Sequence, residues 1–489
     1  MDRSVAQGTV SDPVRDRRVR GVRAWGARRW LALAAGIALA AVALGIYLAT
    51  RVDRYYDHFV WQAAAFLESQ AAIRYPVGSS PGSFGNWFFQ DVLPVASTDG
   101  VPRGLIPFPP LPAVLLMPFV AVWGLQTDDQ TIFTILAAID VAICWWMMGR
   151  LRVAPVARFA TTVFFAFGTV FWYAAQNVTT WYQAHVVAVG LTMIAVGLAV
   201  GWDEDDQEEA GPSRRAGVDP RGLAIGLLFG LATTTRLTVI LAAPFFMLVG
   251  PGGNWRRRGW SVGLGAAIPV GLLLAYNVVT TGHVFHPAYD HLYQLEARAY
   301  VGLGYHADWA AEDPRYIPQN LGIMLFTAPE LLPDRMRDTL GTMDAPLCTG
   351  PGVSRGLFDV HCPFALPRDV GMSVLLTSPA YLLAIPAFRV GRRRRLTIAV
   401  ATAILLVTIA NLMHFSQGWV QFGYRFSNDI VPFALLLVAL GIDRLAASRT
   451  GEDADSDPAP WAMPLAMALI VASIAINAWG VIWGRILGW

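Results

Sequence analysis

Apolar residues run through this chain in blocks of about 20, and polar residues gather in the gaps between them. A helical block of that length matches the hydrocarbon core of a bilayer. Such blocks fall at about 30–50, 129–149, 157–175, 184–201, 260–279, 371–388, 396–413, 430–446 and 462–483. The stretch 222–250 is too long for one simple crossing and carries Arg236 at its middle, so it reads as two short helices turning at Thr233–Arg236. The pattern predicts an all-α polytopic membrane protein of about 11 transmembrane helices with large outer loops. Phe108 to Gly124 is also apolar, but it is short and broken by prolines; it predicts a juxtamembrane helix lying at the interface.

Charge then sets the orientation. With eleven crossings, the basic tail, Arg150/Arg152/Arg158, Arg214/Arg215/Arg221, Arg256–Arg258, Arg392–Arg395 and Arg444/Arg449 all fall on one side. The positive-inside rule makes that side cytoplasmic. A further span at 107–124 would put the later basic loops outside. The expected domains are a cytoplasmic tail, 1–29, and a transmembrane domain, 30–485, with outer loops 51–127 and 281–370. All eight histidines then lie on or near the outer face. The first apolar run exceeds the 7–15 residues of a signal peptide, so it is expected to be retained as a span.

Composition agrees with a membrane class. Only 15% of the 489 residues are charged and 55% are hydrophobic, against about 25% charged in soluble domains. A net charge of +2 gives no footing for a nucleic-acid partner. Membrane lipids are the first expected partners. No phosphate-binding glycine loop, dinucleotide motif or serine-nucleophile elbow occurs.

The polar chemistry is concentrated at span ends. Arg51-Val-Asp-Arg-Tyr-Tyr-Asp-His58 follows the first span directly, and from Asp57 to Leu67 an amphipathic helix is expected with Phe59, Ala63, Phe66 and Leu67 on one side. A carboxylate at the lip of a span suits a general base for an acceptor hydroxyl. Asp57 is the first candidate and Asp53 the second; the plain alternative is an interfacial acid paired with Arg51 or Arg54. Arg236 lies between two apolar helices, where an arginine needs a cavity or a partner. Its fork of donors suits a phosphate, or equally a structural pair with a loop carboxylate.

Gln421-Phe-Gly-Tyr-Arg-Phe-Ser-Asn-Asp429 opens span ten with Tyr424, Arg425 and Asp429 at interface depth. Gln176-Asn-Val-Thr-Thr-Trp-Tyr-Gln-Ala-His185 brings Gln176, Asn177 and His185 to the same face, a set suited to sugar hydroxyls. Tyr56 and His58 join these as substrate-binding candidates. Asp140 is an acid inside span two, a functional position by default. Cys348 and Cys362 share an outer loop and suit a disulfide in an oxidising compartment. His283, His286, Asp290 and His291 leave a divalent metal open, although a polar loop explains them equally; no cofactor is firmly implied.

Four of these stretches together resemble the C-type (GT-C) superfamily of integral-membrane glycosyltransferases, and within it bacterial relatives of protein O-mannosyltransferases and the lipid A aminoarabinose transferase. They are the acid and amphipathic helix Asp57–Leu67, the proline-led Phe108-Pro-Pro-Leu111, the turn Gly230-Leu-Ala-Thr-Thr-Thr-Arg236, and a large outer loop between later spans. The closing Gln421-Phe-Gly-Tyr-Arg425 is similar to many bacterial members. The resemblance implies a polyprenyl-phosphate sugar donor, an active site on the outer face of a bacterial cytoplasmic membrane, and an acceptor glycan, lipid or protein. It gives Asp57 the base role and makes Arg236, Arg425 and Arg103 donor-phosphate ligands. The sequence departs from the family pattern in two places: His58 follows Asp57 where an Asp-Glu pair is usual, and the basic residue before the double proline is displaced to Arg103. The reading from a different class is a lipid-linked-saccharide transporter or binding protein, which would place its ionisable groups at the bilayer midplane.

Overall fold

The computed structural model describes residues 13–53, 56–74, 92–96, 100–208, 217–299, 303–341, 343–350, 352–389, 393–416, 418, 420–450 and 460–489. Arg54, Arg214, Arg215 and Arg392 lie outside them. The helices in chain order are α1 Pro13–Thr50, α2 His58–Leu67, α3 Leu111–Trp123, α4 Asp129–Arg150, α5 Pro155–Gly168, α6 Phe171–Gln176, α7 Thr180–Glu208 and α8 Pro220–Thr233. They continue with α9 Ala243–Leu248, α10 Trp255–Thr281, α11 Ala288–Ala299, α12 Ile317–Phe326, α13 Val374–Thr377, α14 Arg394–Met413, α15 Val431–Thr450 and α16 Ala462–Leu487. Turns of 3₁₀ helix join several of these, notably Leu237–Ala242, Pro379–Arg389 and Arg425–Asp429.

Among the described residues, six helices are long and apolar enough to cross a membrane: the apolar part of α1 from Trp30, α4, α7 through Glu204, α10, α14 and α16. The other expected spans correspond to shorter, broken or partly described helices. Span three divides into α5 and α6 at Thr169, and span eight is the single turn α13 followed by 3₁₀ helix. The stretch 222–250 does split, with Arg236 between α8 and the 3₁₀ turn that leads into α9. The region 107–124 holds the short α3, with Pro118 inside it.

The bundle is layered around α7. Of its apolar stretch 83% is buried, against 17% for α1, so α7 is central and α1 peripheral. Its far end carries Asp203 and Glu204, which pair with Arg258 and Arg395 and with Arg152 and Arg393 respectively. Many of the arginines that fix the topology therefore sit together at one end, opposite Thr180. The tightest helix pair is α8 against α10. Gly222, Gly226 and Gly230 recur every fourth residue of α8, and a Cβ on Gly226 would lie 2.1 Å from the Val262 carbonyl oxygen. Small residues at this spacing let two backbones approach inside a membrane.

Two small polar layers cap the other end. Strands β1 Ile73–Arg74, β2 Leu93–Val95 and β3 Arg103–Leu105 form an antiparallel sheet in the order β1-β3-β2, with Ile73 opposite Gly104. In the second loop, β4 Glu330–Leu331 pairs with β7 Ala365–Leu366, and β5 Arg335–Arg337 with β6 Asp344–Pro346. Cys348 and Cys362 are bonded to one another within it. Of the expected α2 face, Phe59 and Ala63 are buried, Phe66 is half-buried and Leu67 in the last turn is exposed. His58, Val60, Gln62 and Ala65 are buried as well, so the helix is enclosed on more than one side.

Candidate functional site

The first turns of α7, Thr180 to His185, reach every other part of the site. The Thr180 hydroxyl donates to the Tyr56 carbonyl at 2.7 Å, and its oxygen lies 2.9 Å from His58 Nδ1. Because the hydroxyl hydrogen is spent on Tyr56, Nδ1 carries a proton and donates to Thr180. His58 is fully buried, and burial pushes its pKa down to about 3, so the ring is neutral at ordinary pH. Trp181 meets Tyr56 edge-on at 5.0 Å and His58 at a tilt at 6.0 Å. Phe108 completes an aromatic wall, 5.8 Å from His58 and 6.4 Å from both Trp181 and Tyr289.

Asp57 stands at the head of α2 between Tyr56 and His58, but its carboxylate does not cap the helix. Among the described residues it makes no hydrogen bond or ion pair. Burial, and then the negative charge of Asp128, hold its pKa above the usual carboxylate value. Asp53 is placed differently: it is exposed and paired with Arg51 at 2.9 Å. Arg51 also bonds Thr131 and lies 3.5 Å from Asp128. Asp128 caps α4 by accepting from the Thr131 amide at 2.9 Å, and Gln183 of α7 donates to Asp129 at 2.5 Å.

Asp429 is the polar centre of the other half. It accepts from Arg236 Nε at 3.1 Å and Nη2 at 2.8 Å, from Thr238 at 3.0 Å and from Asn411 at 3.1 Å, and His185 Nδ1 lies 3.0 Å away. Burial alone would raise its pKa, but Arg236 and His185 hold it far below the usual carboxylate range. The carboxylate is therefore saturated, and it orients His185 with Nδ1–H toward itself. His185 Nε2 is buried and has no hydrogen-bond partner among the described residues.

Arg425 differs from Arg236. Among the described residues its guanidinium has no ion pair, and its buried Nε has no hydrogen-bond partner. Its contacts are with aromatic faces, Tyr182 at 5.8 Å and Phe426 at 5.3 Å. Arg236 lies 5.2 Å from the same Phe426 ring. His185, His414 and Tyr424 are within 6.3 Å of that ring as well. Among the described residues one arginine is thus paired with a carboxylate and the other is not, and both lie against a single phenylalanine.

A groove of about 480 Å³ adjoins this region. Its walls are apolar side chains of α2, α3, α8 and α10, including Phe66, Leu111, Leu231 and Leu273, and Thr234 and Gln70 bring polar atoms to it. Gln70 also lines a smaller, polar cavity with Glu68, Arg74 and Arg103.

The structure therefore joins Tyr56, Asp57 and His58 to His185, Arg236, Tyr424, Arg425 and Asp429 through α7. It places the remaining candidates elsewhere. Gln176 and Asn177 donate to the carbonyls of Val481 and Trp489 and fasten the end of α16. Arg103 lies on β3. His286 accepts from the Ala288 amide at the start of α11, and His283 is exposed. Among the described residues, no three potential ligands are grouped to hold a metal ion. Asp140 is buried in α4 against Gly190, and neither carboxylate oxygen has a hydrogen-bond partner among the described residues.

Sequence reasoning did not single out Asn411, Thr238, Phe426, Trp181 or Tyr289 as members of the site. Asn411 carried a usable signal, a polar residue two positions from the end of an apolar span. Tyr289 carried none, because only folding brings α11 to Phe108.

No known family and no curated protein matches the chain. Solved structures of the oligosaccharyltransferase of Archaeoglobus fulgidus are similar in arrangement. The apo form has a TM-score of 0.45 at 12% identity, over 92% of this chain and 56% of that one. The form tethered with an acceptor peptide gives 0.42 at 14% identity, over 92% and 55%. A complex of the same archaeal enzyme, AglB, with an inhibitory peptide and a dolichol-phosphate gives 0.41 at 12% identity, over 92% and 56%. The chain spans about half the length of these solved chains. Likeness at this level assigns no activity or ligand to this chain.

Proposed function

We propose that this chain is a membrane glycosyltransferase of the C-type superfamily, moving a sugar from a polyprenyl-phosphate carrier to an acceptor hydroxyl on a glycan, lipid or protein. One observation carries the reading. Among the described residues the site holds an uncommitted carboxylate, Asp57, and an uncommitted guanidinium, Arg425, and both are linked to the same turns of α7.

Those two charges suit the two ends of such a reaction. The acceptor oxygen attacks C1 of the sugar, and its proton passes to the Asp57 carboxylate. The bond between C1 and the phosphate oxygen breaks, and its electron pair leaves with polyprenyl phosphate. Attack from the face opposite the leaving group inverts C1. Arg425, with Arg236 beside the same Phe426 ring, stabilises the charge gathering on the phosphate. The raised pKa of Asp57 makes it a better proton acceptor than an ordinary carboxylate. The aromatic wall of Trp181 and Phe108 offers apolar faces for a sugar ring, and the 480 Å³ groove suits the isoprenoid chain. The expected setting is the outer face of a bacterial cytoplasmic membrane.

The test is release of polyprenyl phosphate from a panel of polyprenyl-phosphate sugars by purified protein in lipid, comparing wild type with Asp57→Asn. Release that depends on Asp57 supports the assignment; full activity in Asp57→Asn, or no release by folded wild-type protein, sinks it. The transporter reading has one observation in its favour, the buried Asp140 within α4, whose carboxylate has no hydrogen-bond partner among the described residues. It would gain if folded protein moved a lipid-linked sugar across vesicles and lost that activity in Asp140→Asn.

A further inference from the structure

The second polar loop carries a cluster of large apolar side chains that are exposed among the described residues. Phe326 is 76% exposed, Leu331 71%, Leu332 59%, Leu357 55% and Phe364 50%. Backbone pairing brings the last four together, and Phe326 leads into them along the chain. The Leu332 amide donates to the Phe364 carbonyl at 2.8 Å, Leu331 stands opposite Ala365 in the β4–β7 pair, and the Phe364 amide donates to the carbonyl of Gly356, next to Leu357. Single exposed leucines are ordinary, but a contiguous patch marks an interaction surface.

The depth of the patch is fixed at both sides. The Ser373 amide and hydroxyl donate to the carbonyls of Thr327 and Leu325, at 2.8 Å each, on either side of Phe326. Ser373 is the cap of α13, where the apolar stretch 374–389 begins. On the other side, Trp483 Nε1 donates to the Leu357 carbonyl at 3.2 Å. Trp483 lies one turn from the end of α16, a helix long and apolar enough to span. At 1.5 Å per residue that is about 6 Å from the helix end. The patch is thus pinned at the level where two apolar helices terminate. It also runs on into exposed Leu375, Leu376, Leu382, Ile385 and Phe388 of the stretch that follows Ser373.

The tip is held rigidly. Leu332 has a left-handed backbone, φ 49°, which a leucine adopts only when its surroundings impose it. Arg355 supplies part of that constraint, its Nη1 donating to the carbonyls of Pro333 and Pro363 at 2.9 and 2.8 Å. The Cys348–Cys362 bond closes the same loop.

We infer that Phe326, Leu331, Leu332 and Phe364 are seated in the acyl chains of the leaflet at this end of the bundle. The loop is an interfacial anchor made by a disulfide-closed ribbon. The anchor bears on the candidate site through α12. Ile317, Leu321 and Met324 of that helix pack on the cluster of Leu412, Tyr424 and Phe426, and Phe326 is its last residue. Lipid contact at the tip then holds α12 against the phenylalanine that both arginines contact. The inference does not depend on the proposed chemistry.

The test is an environment-sensitive fluorophore on Leu332→Cys in lipid nanodiscs. Cys144 is buried and the other two cysteines are bonded, so the introduced thiol is the accessible one. Phe364→Cys serves as a second position should the first not fold, and Arg337→Cys on β5 as a solvent control. Loss of emission with acyl-chain-brominated lipid, together with protection from aqueous iodide, is the expected result. Iodide quenching equal to that of the control overturns the inference. Protection from both quenchers overturns it too, and shows that a protein surface covers the patch.

Discussion

Arg236 grips Asp429 at two points, Nη2 to Oδ2 at 2.8 Å and Nε to Oδ1 at 3.1 Å, with the carboxylate fully buried. Removing one partner of such a pair leaves an uncompensated charge, at a cost of about 3–5 kcal/mol. Asp429→Ala is therefore expected to lower thermal stability in lipid strongly, and the double variant with Arg236→Met to recover part of the loss. A double variant no more stable than Asp429→Ala alone would show that the two side chains are not coupled. The sign with pH follows from the lowered pKa. The stabilisation is present above the ordinary carboxylate value and is lost only as pH falls below it toward the folded value.

Asp57 has the opposite sign. Its raised pKa means that the base form disappears at a higher pH than for an ordinary carboxylate of about 4. Transfer should fall as pH drops through that raised value. Asp128→Asn removes one of the two causes and should move the acid limb to lower pH. A pH–rate profile measures this, and an acid limb unmoved by Asp128→Asn would contradict the assigned contact. Asp57→Asn should cost about 10²–10⁴-fold in rate, the usual range for a positioned base.

Arg425→Ala separates function from stability. Its guanidinium has no ion pair among the described residues, so the thermal midpoint should barely change. The loss of charge stabilisation at the leaving phosphate should cost about 10²–10³-fold in kcat/KM. Phosphate release and thermal unfolding are measured on the same preparation. A large fall in stability with unchanged turnover would reassign Arg425 to a structural role.

The Cys348–Cys362 bond closes a loop of sequence separation 14. A loop of that length contributes about 3 kcal/mol in the chain-entropy account. Mild reductant should therefore lower the resistance of residues 330–366 to proteolysis while the helices persist. Two thiols that alkylate freely in untreated native protein would refute the pairing.

Gly226 is a packing prediction. A Cβ there would meet the Val262 carbonyl oxygen at 2.1 Å, and that atom is backbone and cannot rotate away. Gly226→Leu should destabilise α8 against α10 by about 1–3 kcal/mol or more. Gly263 of α10 has no neighbour within reach, so Gly263→Leu is the matched control expected to be near neutral.

The helical membrane architecture was legible because hydrocarbon imposes it: apolar runs of spanning length read as helices without knowledge of their neighbours. The break at Arg236 was legible for the same reason, since an arginine cannot sit unpartnered among apolar side chains. Residue types at span ends also pointed to Asp57, Arg236, Arg425, His185 and Asp429 as polar chemistry at one face. Which of them are spent on one another was not legible. Spacing along a chain does not record that Arg236 meets Asp429, 193 residues later, or that Arg425 lies against the Tyr182 and Phe426 rings and has no ion pair among the described residues. The same holds for Gln176 and Asn177, which resemble sugar ligands in sequence and fasten α16 in the fold. Hydrophobic periodicity is a local property and survives in a single segment, so the sequence by itself determined the helical membrane class and the long apolar helices, though not the full count of spans. Pairing of charges is a property of distances between segments, and only the tertiary structure decided which carboxylate and which guanidinium stay unpaired among the described residues.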